Sequence, residues 1–138
     1  MALGIILATW HYSASQVKAQ SIFQNRLHCR KLADEYVRKA NAEIPTTLTS
    51  LDSVDFSSAA NSCFALFRSY TEYVNGDYKS TSRGLLVVNL ISGEELYQDS
   101  ASETSGGAHG DWNKVLRQAI AAFQQAMNGK EVNVSKIK

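Results

Sequence analysis

The chain has 138 residues, with 14 basic and 13 acidic side chains, 44% hydrophobic residues and a single proline. That length fits one domain with an ordinary core, and the composition excludes a disordered or fibrous chain. A net charge of +1 gives no concentrated basic surface, so nucleic acid is not an expected partner.

Met1 to Thr9 is apolar except for Thr9, and Trp10 and Tyr12 follow. The block is shorter than the roughly 20 residues that span a bilayer. It lacks the positive region of an ordinary signal peptide, yet Ser13-Ala14-Ser15 has the small residues of a cleavage site. Three readings stand: the remnant of a membrane anchor with its aromatics at the interface, an atypical export signal, or an apolar end of the domain itself. A block apolar on every side must be buried in protein or lipid. The expected division is an apolar segment over 1–12, outside the compact core, and a single α+β domain over 13–138.

Ser15 to Ala42 predicts one long helix free of glycine and proline. Cys29, Leu32, Ala33, Tyr36, Val37 and Ala40 step by three and four, which aligns them on one stripe. Pro45 ends the helix, because it biases Ile44 away from helical geometry. The densest basic run, Arg26 to Lys39, is interrupted by Asp34 and Glu35 and fits a solvated helix face. Thr46 to Asn61 is rich in Ser, Thr, Asp and Asn, which favour turns. It is expected to be a long polar connection pinned by Leu48, Leu51, Val54 and Phe56. Asp52 and Asp55 within it fit local capping better than paired acids or a calcium loop.

Three strands are predicted next, at Ser62 to Val74, Arg83 to Ile91 and Glu94 to Asp99. Asn75-Gly76-Asp77 and Ser92-Gly93 supply the turns between them. Ser100 to Gly110 then predicts a soft linker. Asp111 is a candidate N-cap for a second helix. Its stripe is Trp112, Val115, Leu116, Ala119, Ile120, Phe123 and Met127, with Asn128-Gly129 as the stop. The tail from Lys130 alternates weakly through Val132, Val134 and Ile137, as an extra edge strand or a frayed end. The expected fold is thus α+β, in the order α-β-β-β-α. Its three-stranded antiparallel sheet is expected to carry both helices on one face.

Few residues point to chemistry. Cys29 and Cys63 are the only cysteines. A structural disulfide tying the first helix to the first strand competes with two separate buried thiols. No close dithiol marks a redox enzyme, and His11, His28, His109 and the cysteines form no zinc spacing. Arg68, Tyr70, Tyr73 and Tyr78 cluster around the first hairpin and are the candidate interface. Gly106, Gly107 and His109 precede a helix and are the candidate ligand loop, though dinucleotide and P-loop spacings are absent.

These residues support a non-catalytic interaction or structural domain of an exported or membrane-anchored protein, periplasmic or extracellular. Its partner is expected to be another protein or a second copy, with membrane proximity through the N-terminal segment. A small-molecule-binding domain, walled by residues 46–61 and the 105–110 linker, is the alternative, and a small hydrolase the third. No catalytic residue, metal or cofactor is expected.

Overall fold

The computed structural model describes the backbone of residues 2–135 and the side chains of residues 21–135. The elements run α1 (Ala2–Glu43), β1 (Thr47–Ser57), β2 (Ser62–Asn75), β3 (Tyr78–Asn89), β4 (Glu95–Thr104), β5 (Gly107–His109) and α2 (Trp112–Met127). The strands form one antiparallel meander in the spatial order β1-β2-β3-β4-β5. The α+β class holds, but the sheet has five strands where three were expected.

The first additional strand is β1, within the segment read as a polar connection. Its Ser and Thr residues do not make a loop here. Their backbone pairs with β2 from Thr47↔Thr71 to Ser57↔Ser62, and Leu51 and Val54 are packed beneath α1. The second is β5, which folds the supposed linker back onto Ser102, Glu103 and Thr104. Between β2 and β3 the turn is tight. Gly76 takes φ 60° as the first of two turn residues, a geometry that suits the twist of a hairpin.

The helices occupy opposite faces of the sheet, which corrects the expectation that both cover one. Successive strand residues point to opposite sides. Ala65, Phe67 and Val88 pack with Ala33, Tyr36 and Val37 of α1. Their neighbours Leu66, Leu85 and Val87 pack with Val115, Ala119 and Ala122 of α2. The first half of β2 is consequently buried on both sides: Ser62 to Phe67 are six consecutive buried residues. Alanines at the contact points let each helix lie close to the sheet, and Ala33, Ala65, Ala119 and Ala122 are fully enclosed.

Helix α1 is continuous over 42 residues, so it passes without a break through the apolar start and through the boundary expected after residue 12. Its C-terminal part lies along the sheet. Cys29 is bonded to Cys63 beside Phe56 at one end of β1, and Asn41 reaches Thr49 near the other. Residues 2–25 upstream amount to about 36 Å of helix. Phe23 and Leu27, on the part leaving the sheet, are 59% and 51% exposed. Among the described residues no helix is long and apolar enough to cross a membrane.

Helix α2 starts and stops where its sequence directs. Asp111 accepts from the Lys114 N–H at 3.2 Å, and Gly129 turns the chain out at φ 68°. The described part of the tail is neither a strand nor frayed. The Gln125 amide brackets the Asn133 backbone, donating at 3.2 Å and accepting at 2.7 Å, while Val132 and Val134 pack onto the α2 side of the core. Ile137 lies outside the described residues.

Candidate interaction surface

The register of the β2–β3 hairpin decides which candidate residues meet. Counting out from the turn, Tyr70 stands opposite Arg83 and Arg68 opposite Leu85. Since Leu85 faces α2, Arg68, Tyr70 and Arg83 share that face. Helix α2 begins directly over them. The Arg83 guanidinium lies 4.8 Å from the centre of the Trp112 ring, and that of Arg68 lies 5.8 Å away. Both distances are within the range of cation–π attraction. Arg68 is also held by Asp52 at 3.2 Å.

Further along the same face, Tyr70 donates to Glu72 at 3.0 Å, and the Lys79 ammonium sits 3.0 Å from the other Glu72 oxygen. The hydrogen bond from Lys79, then that from Tyr70, holds the Glu72 carboxyl below its usual range. Glu72 in turn raises both Lys79 and Tyr70, in each case first through the hydrogen bond. Leu48, opposite Tyr70 on β1, is 63% exposed. The result is an open surface of two arginines, two aromatic rings and one exposed leucine. It borders a hollow of about 260 Å³ walled by Thr81, Glu103, Ala108 and Asn113.

Tyr73 and Tyr78 do not join this surface. Their register places them on the opposite face, where they form an edge-to-face pair with ring centres 6.2 Å apart. Gly107 and His109 belong to β5, and Gly106 lies in the turn before it, so the expected ligand loop is a short hairpin. Residues 46–61 and 105–110 are separated across the sheet by β2, β3 and β4. His109 is exposed at the β5 edge, remote from Cys63, whose sulfur is already committed to Cys29. Asp55 pairs with Arg26 at 2.9 Å and accepts from its neighbour's N–H, while Asp52 pairs with Arg68. Among the described residues no group of three His, Cys, Asp or Glu side chains is placed to hold a metal ion.

Trp112, Arg83, Glu72 and Lys79 escaped the sequence reading. Trp112 was legible only as part of a core stripe. The signal for the others lay in the tight turn: once Gly76-Asp77 is taken as a two-residue hairpin loop, the pairing of Tyr70 with Arg83 follows by counting. No family model matches the chain, and no curated protein or solved structure matches it either.

Proposed function

We propose that this chain is a non-catalytic interaction domain of an exported protein, displayed on the long helix α1. The observation that carries the reading is the Cys29–Cys63 bond, with Cα atoms 5.3 Å apart, located where α1 leaves the sheet. Disulfides of this structural kind persist in oxidising compartments outside the cytosol. The bond fixes the domain to its helix at the point where a load on that helix would be transmitted.

The surface around Arg68, Tyr70, Arg83 and Trp112 supplies the contact chemistry. Arginine and aromatic side chains dominate binding energy at protein interfaces. The ring of Trp112 holds the Arg83 guanidinium in place before any partner arrives, which lowers the entropy cost of docking. The apolar block at the start of α1 adds membrane proximity or a second protein contact, since it needs a surface on which to be buried.

The test uses the full chain in its cellular setting. Thiol trapping without reductant is expected to leave both cysteines unlabelled. A photoreactive residue at Thr81, within the surface, is expected to give a discrete cross-linked adduct that Arg83→Ala removes. The same probe at Gln124, on the exposed side of α2, is expected to give none. Labelled cysteines in native material, or no adduct at Thr81, would overturn the reading.

A further inference from the structure

The second notable surface is on the α1 face, independent of the arginine–tryptophan surface. Helix α1 covers β1, the first half of β2 and β3 around Val88, but leaves the rest of β3 and β4 open on that side. Beyond Phe67 the bare floor consists of two rows of small polar residues. One row runs Thr49–Ser69–Gly84–Ser100 across four strands. The next runs Thr47–Thr71–Ser82–Ser102. The rows are separated by two residues along each strand, so all eight positions share one face. Tyr36, Ala40 and Ile44 of α1 wall one side, and Glu95 and Gln98 stand on the other. The groove is lined by six of these eight positions, all but Thr71 and Ser102, and encloses about 570 Å³, within the usual range of ligand sites.

The chemistry of this groove is narrow. Every hydroxyl of the floor can both donate and accept. Thr47 and Thr71 bond to each other at 2.7 Å. No buried side-chain polar atom among the described residues lacks a partner, so hydroxyls not bonded within the chain are open to solvent. The floor carries no charged side chain. Arg68 borders the groove, but its guanidinium is on the opposite face with Trp112. Glu95 lines the groove and, with Glu43 near the end of α1, acts on the Tyr36 hydroxyl, which burial first and these carboxylates next push above its ordinary range. The Tyr36 ring is itself fixed by stacking on Phe67 at 4.4 Å.

Gly84 gives the most specific sign. It occupies the middle of a central strand, where glycine costs stability and often marks a place of close approach. A Cβ there would meet the Ser69 Oγ at 2.6 Å. The sheet thus keeps its floor low at the centre of the groove. A floor of hydroxyls, an aromatic and aliphatic wall, and an acidic rim fit a ligand that is polyhydroxylated, partly apolar on its ring faces, and uncharged. We infer that this groove binds a neutral oligosaccharide. An anionic glycan or a phosphate is repelled by the rim, and an apolar peptide would leave the hydroxyls without partners.

The experiment titrates the oxidised full chain with neutral oligosaccharides of gluco, manno, xylo and chito type, with a uronate oligomer as the charged comparison. Binding is read by calorimetry and by amide shifts. At least one neutral oligomer is expected to bind saturably and to shift the amides of Ser69, Gly84 and Ser100. Ser100→Trp, which fills the groove from an exposed position, is expected to weaken binding at least tenfold. Gln124→Ala, exposed on α2 on the opposite face, is expected to leave it unchanged. Tyr36→Phe keeps the stack and removes the hydroxyl; it is expected to weaken binding several-fold and decides the matter if the tryptophan variant fails to fold. The inference is overturned by neutral glycans that shift none of these amides, by preference for the uronate, or by binding indifferent to both groove variants. It is equally overturned if Ser100→Trp converts a dimer into a monomer, which would make the face a contact between copies.

Discussion

The side-chain amide of Asn41 closes onto the backbone of Thr49 from both sides, donating to its carbonyl at 2.9 Å and accepting its N–H at 2.7 Å. Strand β1 is the edge of the sheet, and its outer backbone groups have no strand to pair with. Unpaired edges invite other chains. Asn41 stands in for the missing strand at one residue, and α1 is thereby keyed to the sheet in register. Replacing it by leucine keeps the volume and removes both bonds. The expected loss is about 1–3 kcal/mol, with a half-buried backbone pair left exposed or unsatisfied. Urea unfolding gives the magnitude, and faster hydrogen exchange at the Thr49 amide locates it. Unchanged exchange there would show that the bond is dispensable.

The Cys29–Cys63 bond closes a loop across a separation of 34 residues. Loop entropy alone makes it worth about 3.8 kcal/mol, before relaxation of the native state. Both cysteines are essentially inaccessible, so reduction should require unfolding or strong reductant. The double variant Cys29→Ala, Cys63→Ala is expected to fold with stability lowered by about 2–5 kcal/mol. Thermal unfolding of the variant against the oxidised chain measures this. A difference below about 1 kcal/mol would mean that the docked part of α1 is held by Ala33, Tyr36 and Val37 without help.

The elements that were legible in the sequence had a period and a punctuation mark. The helical stripe of α1, Asp111 and Gly129 around α2, and the turn at Gly76 each carried a local physical signal. So did the cysteines, once Cys29 was placed on the inward stripe and Cys63 at a strand start. Strand β1 was missed because its serines and threonines suit turns as well as an edge strand, and only β2 decides between them. The strands were also cut short at Arg83 and Asp99 for the same reason: the hydroxyl rows of the groove have no apolar alternation to read. The two-sided burial of the sheet was visible in principle. Cys63, Phe64, Ala65, Leu66 and Phe67 are apolar on both parities, the mark of a strand covered on both faces. Neither surface could be read directly, since one joins three strands to the start of α2 and the other crosses four strands.

The Tyr70–Glu72–Lys79 chain predicts a pH dependence with a definite sign. Glu72 is held below its ordinary value of 4.5, so its contribution to stability is complete above that value and is lost as pH falls through the lower folded one. Lys79 and Tyr70 are raised above 10.5 and 10.0, so theirs is complete below those values and is lost on the alkaline side. All three groups are at the surface, so the shifts are expected to shrink in high salt. NMR titration of the Glu72 carboxyl should give a midpoint below 4.5, and Lys79→Met should move it upward. A midpoint indifferent to that substitution would place the cause elsewhere.

The last prediction concerns the two parts of α1. From Cys29 to Asn41 the helix is joined to the sheet by a disulfide, by the Ala33–Tyr36–Val37 contacts and by the Asn41 amide. Upstream, Arg26 makes an ion pair with Asp55 that is too exposed to contribute much, and Phe23 and Leu27 face solvent. A helical turn whose large apolar side chains are left in solvent, as Phe23 and Leu27 are, has little stability to lend. Deleting residues 2–20 is therefore expected to change domain stability by no more than about 0.5 kcal/mol, the scale of an ordinary surface change. The same deletion should abolish association with liposomes or detergent micelles, because it removes the apolar block from Ala2 to Ala8 together with Trp10 and Tyr12. Urea unfolding at several protein concentrations separates the two effects, since a lost contact between copies would lower apparent stability only in a concentration-dependent way. A concentration-independent loss above about 2 kcal/mol, the scale of removing a buried large side chain, would show that the start of α1 belongs to the core, and the reading of α1 as the domain's tether would fall with it.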